Sequence, residues 1–461
     1  MVLVILFLMI ELSTGMPEEN VVQARKVETI IRAGEPAMFN GYTIVGDLDL
    51  RNLKIEGPVR FNHTIFQGSV SFKNAIFNSD AYFRSSEFNG VADFGDSEFN
   101  RTAYFWSSKF NRTAYFRNSL FKNNANFINS SFEGNADFSN SLFKDNANFI
   151  NSLFEGNAYF SNSLFKGDAD FSNSLIEGNA DFRLSSFNRT AIFKESAFNQ
   201  KAIFSKSDFN GFVDFRRSSF DSASFQDSNF NDIVFFGETI FKRESSFEKS
   251  NFNRNAYFMY SQFNDAAYFN NTRFFGIVDL GNSKFHSNVF FNDALINDCY
   301  FDWELAKPSK GKVILSRENY KKLKQKYIDL GYSDDADDCE YELRKIKASN
   351  YDDRSYRYLD YIARFSYGYG LKPFFPISLS LLTIIIFSIL FCMSGTVELN
   401  ESVYFSYSTF VSGTGKLFID KPNLPANSSI RVKIMFDIER LLGLIFISLL
   451  IIALTKTVFA N

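Results

Sequence analysis

The sequence predicts an all-β solenoid followed by a helical linker and a two-span membrane segment, on three observations. Phenylalanine recurs in alternating steps of five and six residues over more than half of the 461-residue chain. The positions between the rings are filled by Asn, Ser, Asp and Gly, which disfavour helix. Two apolar runs, Phe374–Met393 and Leu441–Leu454, then lie near the C-terminus.

The array is read first because an internal repeat fixes the architecture. Its beat runs Phe83, Phe88, Phe94, Phe99, Phe105, Phe110, Phe116, Phe121, Phe127, Phe132, Phe138. Two residues before each ring stands a small side chain, alternately Ala and Ser, as in Ala81, Ser86, Ala92, Ser97, Ala103 and Ser108. The frame extends back through Phe61, Ile55 and Leu50 to Ile44, and forward through Phe291 and Ile296 to Phe301. One lapse is expected, where Phe220 to Phe225 takes a five in place of a six. An eleven-residue period could also suit a right-handed coiled coil, but the intervening composition excludes it. A meander of strands fits no better, because no six-residue apolar alternation separates the turn signals. Very short sides do fit: the small residue and the ring share period-2 parity and point to one face. The Asn, Ser, Asp and Gly residues suit tight corners. Ala and Ser leave a narrow interior room for one ring per side.

These residues resemble the pentapeptide-repeat proteins, whose unit is [AS]-[DN]-[LF]-x-x. Ala136-Asp137-Phe138, Ala147-Asn148-Phe149 and Ala180-Asp181-Phe182 carry it as it stands. The resemblance implies a right-handed quadrilateral β-helix over residues 42–301. The extra residue in every second side implies coils of about twenty-two residues, about twelve coils in all, and a rod on the order of 55–60 Å long. A solenoid is a scaffold, so the resemblance fixes fold far better than function.

Composition bounds the chemistry. A net charge of −3 argues against general nucleic-acid binding. Basic residues such as Lys122, Lys144, Lys166, Arg183 and Lys194 also break up the continuous acidic face that DNA-mimicking relatives need. Cys299, Cys339 and Cys392 are far apart and show neither metal spacing nor a disulfide framework. The two histidines, His63 and His286, fall in repeat corners. No nucleophile–histidine pair, phosphate loop or metal motif stands out, so neither enzymatic activity nor a cofactor is expected.

At the N-terminus, Val2–Ile10 followed by Ser13-Thr14-Gly15 reads as a signal peptide over residues 1–15 cleaved before Met16, or as an uncleaved anchor. Residues 16–41 read as a cap on the first coil, with an amphipathic helix carrying Val22, Ala24, Val27, Ile30 and Ile31. The lead-in from Ala24 to Leu50 resembles that of large pentapeptide-repeat proteins of methanogenic archaea. After the array, residues 302–372 form a linker with three helices. Ser316 caps the first, which carries Tyr320, Leu323, Tyr327 and Leu330 and stops at Gly331. The second covers Asp334–Ala348 and the third Arg354–Tyr367. They suit either a cap on the far end of the rod or a juxtamembrane collar.

Residues 373–461 form the membrane segment, with spans at about 374–394 and 440–460. Pro376 falls in the first turn of its helix, where it is tolerated. The second apolar run is short unless Lys456 snorkels to the far interface. Between the spans lies an aromatic amphipathic stretch, about 401–416, entering a loop with Gly413 and Gly415. Gly368-Tyr369-Gly370-Leu371-Lys372-Pro373, Tyr404-Phe405-Ser406 and Arg440-Leu441-Leu442-Gly443 resemble the two-helix pore-loop channel domain that some pentapeptide-repeat proteins carry. The resemblance implies a potassium-channel-like pore domain, a monovalent cation as ligand and a homotetramer. Its pore-loop candidates are Thr409, Ser412, Gly413, Thr414 and Gly415. Potassium-selective relatives read T-T-x-G-[YF]-G-D here; Thr414 replaces the aromatic and Lys416 the acid, so selectivity does not carry over. The other reading is an interfacial hairpin that conducts nothing, on a cell-surface scaffold tethered in lipid by two helices and binding a surface partner. An exported N-terminus places the array outside the cell, and the sequons at Asn62, Asn100, Asn111, Asn129, Asn188 and Asn270 are then glycosylation candidates.

Overall fold

The computed structural model describes residues 20–300, 313–349, 354–414, 422–425 and 428–458. The chain divides into two compact units, Met1–Ser316 and Arg317–Asn461. The first is a parallel β-solenoid of about 13 turns, one more than the sequence count. One coil illustrates all of them. Its four sides are Ile76–Phe77, Ala81–Tyr82, Glu87–Phe88 and Ala92–Asp93, after which Glu98–Phe99 returns to pair with Ile76–Phe77. Ala81 stands beside Ala103, one 22-residue coil later.

The two corner types differ. Every eleven residues from Asn52 to Arg217 a non-glycine residue takes a left-handed φ, near 54–60°, and the series resumes from Asp227 to Asp293. These residues occupy the third position of a tight turn closed by the following Ser, as in Ser97 N–H to Phe94 O at 3.3 Å. Asn and Asp occupy many of these positions, as their tolerance of that region predicts. Leu184, Lys206 and Arg217 take it as well, so here the fold overrides preference. The other corner holds the extra residue.

The lapse after Phe220 is absorbed at the larger corner: the register shifts between Phe198 and Lys201, two residues opposite fewer in the next coil. A second shortening occurs where none was expected. Phe274 pairs with Ile296, but Val278 pairs with Cys299, so Ile296 is followed by a corner one residue short. The expected end at Phe301 lies outside the described residues. Parallel pairing also begins upstream of Tyr42, since Ala37–Met38 pairs with Val59–Arg60 and Asn20–Gln23 with Tyr42–Val45. At the other end Val313–Leu315, expected in the linker, adds a strand beside Val289–Phe291.

The rings fill the interior in stacks, one ring per coil. Phe94, Phe116, Phe138 and Phe160 lie 4.7–4.9 Å apart and within 2° of parallel. A second stack meets it edge-on, Phe116–Phe127 at 5.2 Å and 85°. Both arrangements suit the ring quadrupole. All of these rings are fully buried, each contributing ~1.5–3 kcal/mol relative to exposure.

The N-terminal cap is partly strand and partly helix. Val22, expected on the helix, lies on the strand Asn20–Gln23, and the helix α1 covers Ala24–Arg32. It buries Ala24, Val27 and Ile31 over the first coil. Its polar side chains then stand in for a missing strand. Glu28 Oε1 accepts the Asp49 N–H at 2.7 Å, and the Arg32 guanidinium donates to the Asp49 carbonyl at 2.8 Å. The open edge is thereby closed against pairing.

The second unit is helical: α2 (Arg317–Leu330), α3 (Ser333–Ser349), α4 (Arg354–Tyr367), α5 (Phe374–Met393), α6 (Leu399–Ser412) and α7 (Ile430–Val458). The α2–α3 turn uses Gly331 at φ +77°, at the expected stop. Helices α5 and α7 are both long and apolar enough to cross a membrane. Helix α7 starts about ten residues before the expected span, and includes Arg431, Lys433, Asp437, Glu439 and Arg440.

Candidate functional site

Helices α5, α6 and α7 pack on one another and enclose the residues singled out between the spans. Helix α6 starts after the extended Glu398, with Glu401 in its first turn where a negative charge suits the helix dipole. Its sequence alternates hydroxyls and rings, and the fold sorts them. Ser402, Ser406, Ser408, Thr409 and Ser412 are buried, while Val403, Tyr404 and Tyr407 are exposed. The hydroxyl face meets the spans. Ser402 and Ser388 share a hydrogen bond of 2.9 Å, and Ser406 bonds both the Ile384 carbonyl at 2.9 Å and the Glu439 carboxyl. Next to these hydroxyls Phe391 and Phe436 form an apolar core with Val432, and Phe405 packs against it, edge-on to Phe391 at 5.1 Å.

The pore-loop candidates belong to the end of this helix. Thr409 is fully buried and donates to the Phe405 carbonyl at 2.8 Å; Ser412 donates to the Thr409 carbonyl at 2.8 Å. Thr414 donates to the Val411 carbonyl at 2.8 Å. These hydroxyls are thus bound to their own helix. Gly413 keeps near-helical angles, φ −59° and ψ −26°. Gly415 and Lys416 lie outside the described residues.

Gly413 has a distinct packing role. A Cβ there would lie 2.0 Å from the Arg440 carbonyl oxygen, and a Cβ on Gly443 would lie 1.9 Å from the Phe410 carbonyl oxygen. The two glycines therefore let the backbones of α6 and α7 touch, as small residues do where membrane helices cross. Both stand in the sequence motifs of the membrane segment, but nothing in the sequence pairs them, because the contact joins two helices far apart in the chain.

Glu439 was missed by sequence reasoning. It is fully buried, with Ser406 on one carboxyl oxygen and no hydrogen-bond partner on the other. The available signal was an acid two residues before the uncharged run that begins at Leu441, within a helix long and apolar enough to cross a membrane.

The polar end of this unit lies near Tyr369. Gly368, Tyr369 and Gly370 all take left-handed angles, and the buried Tyr369 hydroxyl donates to Asp360 at 2.9 Å. Burial, then that carboxylate, pushes the phenol well above its usual range. Burial alone would raise Glu340, but Arg344 and Lys324, at 2.8 and 3.0 Å, hold it below the usual carboxylate range.

The sequons sit on the solenoid's corners. Asn100, Asn111 and Asn270 spend the amide nitrogen in bonds to Asn78, Asn89 and Glu248, at 2.6, 2.6 and 2.8 Å. Asn129 and Asn188 are exposed, and Asn62 is half-buried with its oxygen on the Arg84 N–H. A glycan attaches at the amide nitrogen, so Asn129 and Asn188 are the most accessible positions of the six. No group of three or more potential metal ligands occurs among the described residues.

Residues 61–109, 105–153, 149–197 and 247–295 match the family described as Pentapeptide repeats (9 copies). Neither the curated proteins nor the solved structures contain a match to the chain.

Proposed function

We propose that this pentapeptide-repeat protein is a membrane-anchored interaction scaffold, its solenoid displayed outside the cell and tethered by α5 and α7. The observation that carries this reading is the Gly413–Gly443 crossing. It uses the first glycine of the degenerate loop for packing, while Thr409, Ser412 and Thr414 bond to their own helix. A chain end built this way holds a rod firmly in lipid. The solenoid supports the other half of the reading, because rigid stacked coils present long ladders of side chains to a partner. Among these are the stacked Tyr82 and Tyr104, and Arg84 over Trp106 at 3.9 Å.

A second reading is ion conduction by a homotetramer, with a monovalent cation as the permeant species. It is favoured by a short helix between two spans that turns its hydroxyl face inward, and by the half-satisfied Glu439 carboxyl beside it. One hairpin cannot enclose a pore, hence the oligomer. Bilayer recording of the purified full-length protein under potassium, sodium and chloride gradients separates the two. The scaffold reading expects no current. A cation current lost in Glu439→Leu would establish the second. Protease treatment of intact cells tests the display, with cleavage of the array as the expected result.

A further inference from the structure

Helix α4 is amphipathic the wrong way round for a helix packed in water. At about 100° per residue, Tyr361, Phe365, Tyr358, Ile362 and Leu359 fall within one arc of about 160°. All five are exposed, at 57, 57, 71, 62 and 63 % for Tyr361, Phe365, Tyr358, Leu359 and Ile362 respectively. On the opposite side two ionisable residues turn inward: Asp360 accepts the hydroxyl of the buried Tyr369, and Arg364 packs beside Tyr341 and Tyr369, while the first turn, residues 354–357, is exposed. No residue of α4 is buried. A soluble helix hides its apolar stripe and wets its charges; beyond its first turn this one exposes the stripe and half-buries Asp360 and Arg364.

We propose that α4 is an interfacial helix, its aromatic and aliphatic arc inserted at the boundary between headgroups and acyl chains of the same bilayer that α5 crosses. The inference rests on the membrane reading of α5. Three features select lipid as the occupant. Only residues 368–373 separate α4 from the span, whose own exposed side includes the apolar Phe374, Ile377 and Leu381. Tyrosine supplies two of the five arc residues, and its amphipathic ring favours that depth. The turn between the two helices is tied to α4 by the buried Tyr369, whose hydroxyl donates to Asp360, and to α3 by a Lys372–Asp338 ion pair. An amphipathic helix of this kind binds in proportion to the apolar area it buries.

The test uses the full chain reconstituted in phosphatidylcholine vesicles, with Trp106→Phe and Trp303→Phe removing the native indoles. A reporter is placed by Phe365→Trp or, separately, Ile362→Trp, and a control by Ile385→Trp on α5. Lipids brominated high or low on the acyl chain quench a nearby indole. The expected result is blue-shifted α4 emission, quenched at least twofold more by shallow than by deep bromines, with the α5 control quenched. A red, unquenched α4 indole would place the arc in water, and a blue but unquenched one would place it against protein, including a second copy. Either overturns the proposal. If the α5 control is itself unquenched, the spanning reading fails and this proposal with it. Two reporter sites guard against one variant that misfolds.

Discussion

The Ser119 hydroxyl donates to the carbonyl of Phe94, one coil and one tight turn back, at 2.7 Å. That carbonyl also accepts the Ser97 N–H at 3.3 Å, so both of its lone pairs are used. The same bond recurs along the array, from Thr64 to Phe39 through Ser283 to Phe258. The serine is therefore a buried donor as well as a small residue. Ser119→Ala should destabilise the solenoid by ~0.5–1.5 kcal/mol, the usual net worth of such a bond. Urea unfolding followed by far-ultraviolet circular dichroism reads it, with an unchanged slope.

Ile176 interrupts one ring stack, between Phe154 and Phe198 on its neighbouring coils. The site has the same backbone as those holding Phe, so Ile176→Phe should be accommodated. The restored stacking should add ~0.5–1.5 kcal/mol, seen as a higher midpoint in thermal unfolding. A lower midpoint would mean that the coils have closed around the smaller side chain. Phe138→Ala, deep in an unbroken stack, should cost ~3–5 kcal/mol.

Much of the solenoid was legible because its information is periodic. Phe94 and Ser119 each repeat in every coil, so the inward face could be read without knowing any contact. The donor role of Ser119 was not legible: smallness and hydrogen bonding select the same residue. The shortened corner at Ile296 escaped notice because it falls at the last step of the frame, after an Ile in place of a ring, although Phe301 follows Ile296 by five residues where the beat calls for six. In the helical unit the spans were visible from composition. The Gly413–Gly443 crossing and the Ser406–Glu439 bond were not, because each joins helices far apart in sequence and neither has a period.

Asp49 offers a pH test at the capped end. Hydrogen bonds from Arg51, its Nε at 3.0 Å and a terminal nitrogen at 2.7 Å, hold the carboxyl at about 2. A lowered folded pKa contributes stability above the ordinary value of ~3.9, and that stability is lost as pH falls towards 2. Arg51→Met should move this loss up into the ordinary Asp range. Both side chains are half exposed, so the difference should shrink in high salt. Nuclear magnetic resonance titration of Asp49 in both proteins checks the shift directly.

The glycine crossing makes a reciprocal prediction. Gly413→Ala and Gly443→Ala each place a methyl carbon on a backbone oxygen of the other helix, at 2.0 and 1.9 Å. A backbone oxygen cannot rotate away, so α6 and α7 must separate, at a cost of at least ~1–3 kcal/mol. Ser412→Ala, which removes a bond only within α6, should cost less, ~0.5–1 kcal/mol. Thermal unfolding in detergent, with protease resistance of the helical unit, ranks the three variants. The pairing discriminates between roles for Gly413. If it serves packing, both alanine variants fall together, because each breaks the same contact from opposite sides. If instead Gly413 acts in a conducting loop, its alanine variant changes current at unchanged stability, and Gly443→Ala, thirty residues away on the other helix, does not reproduce it.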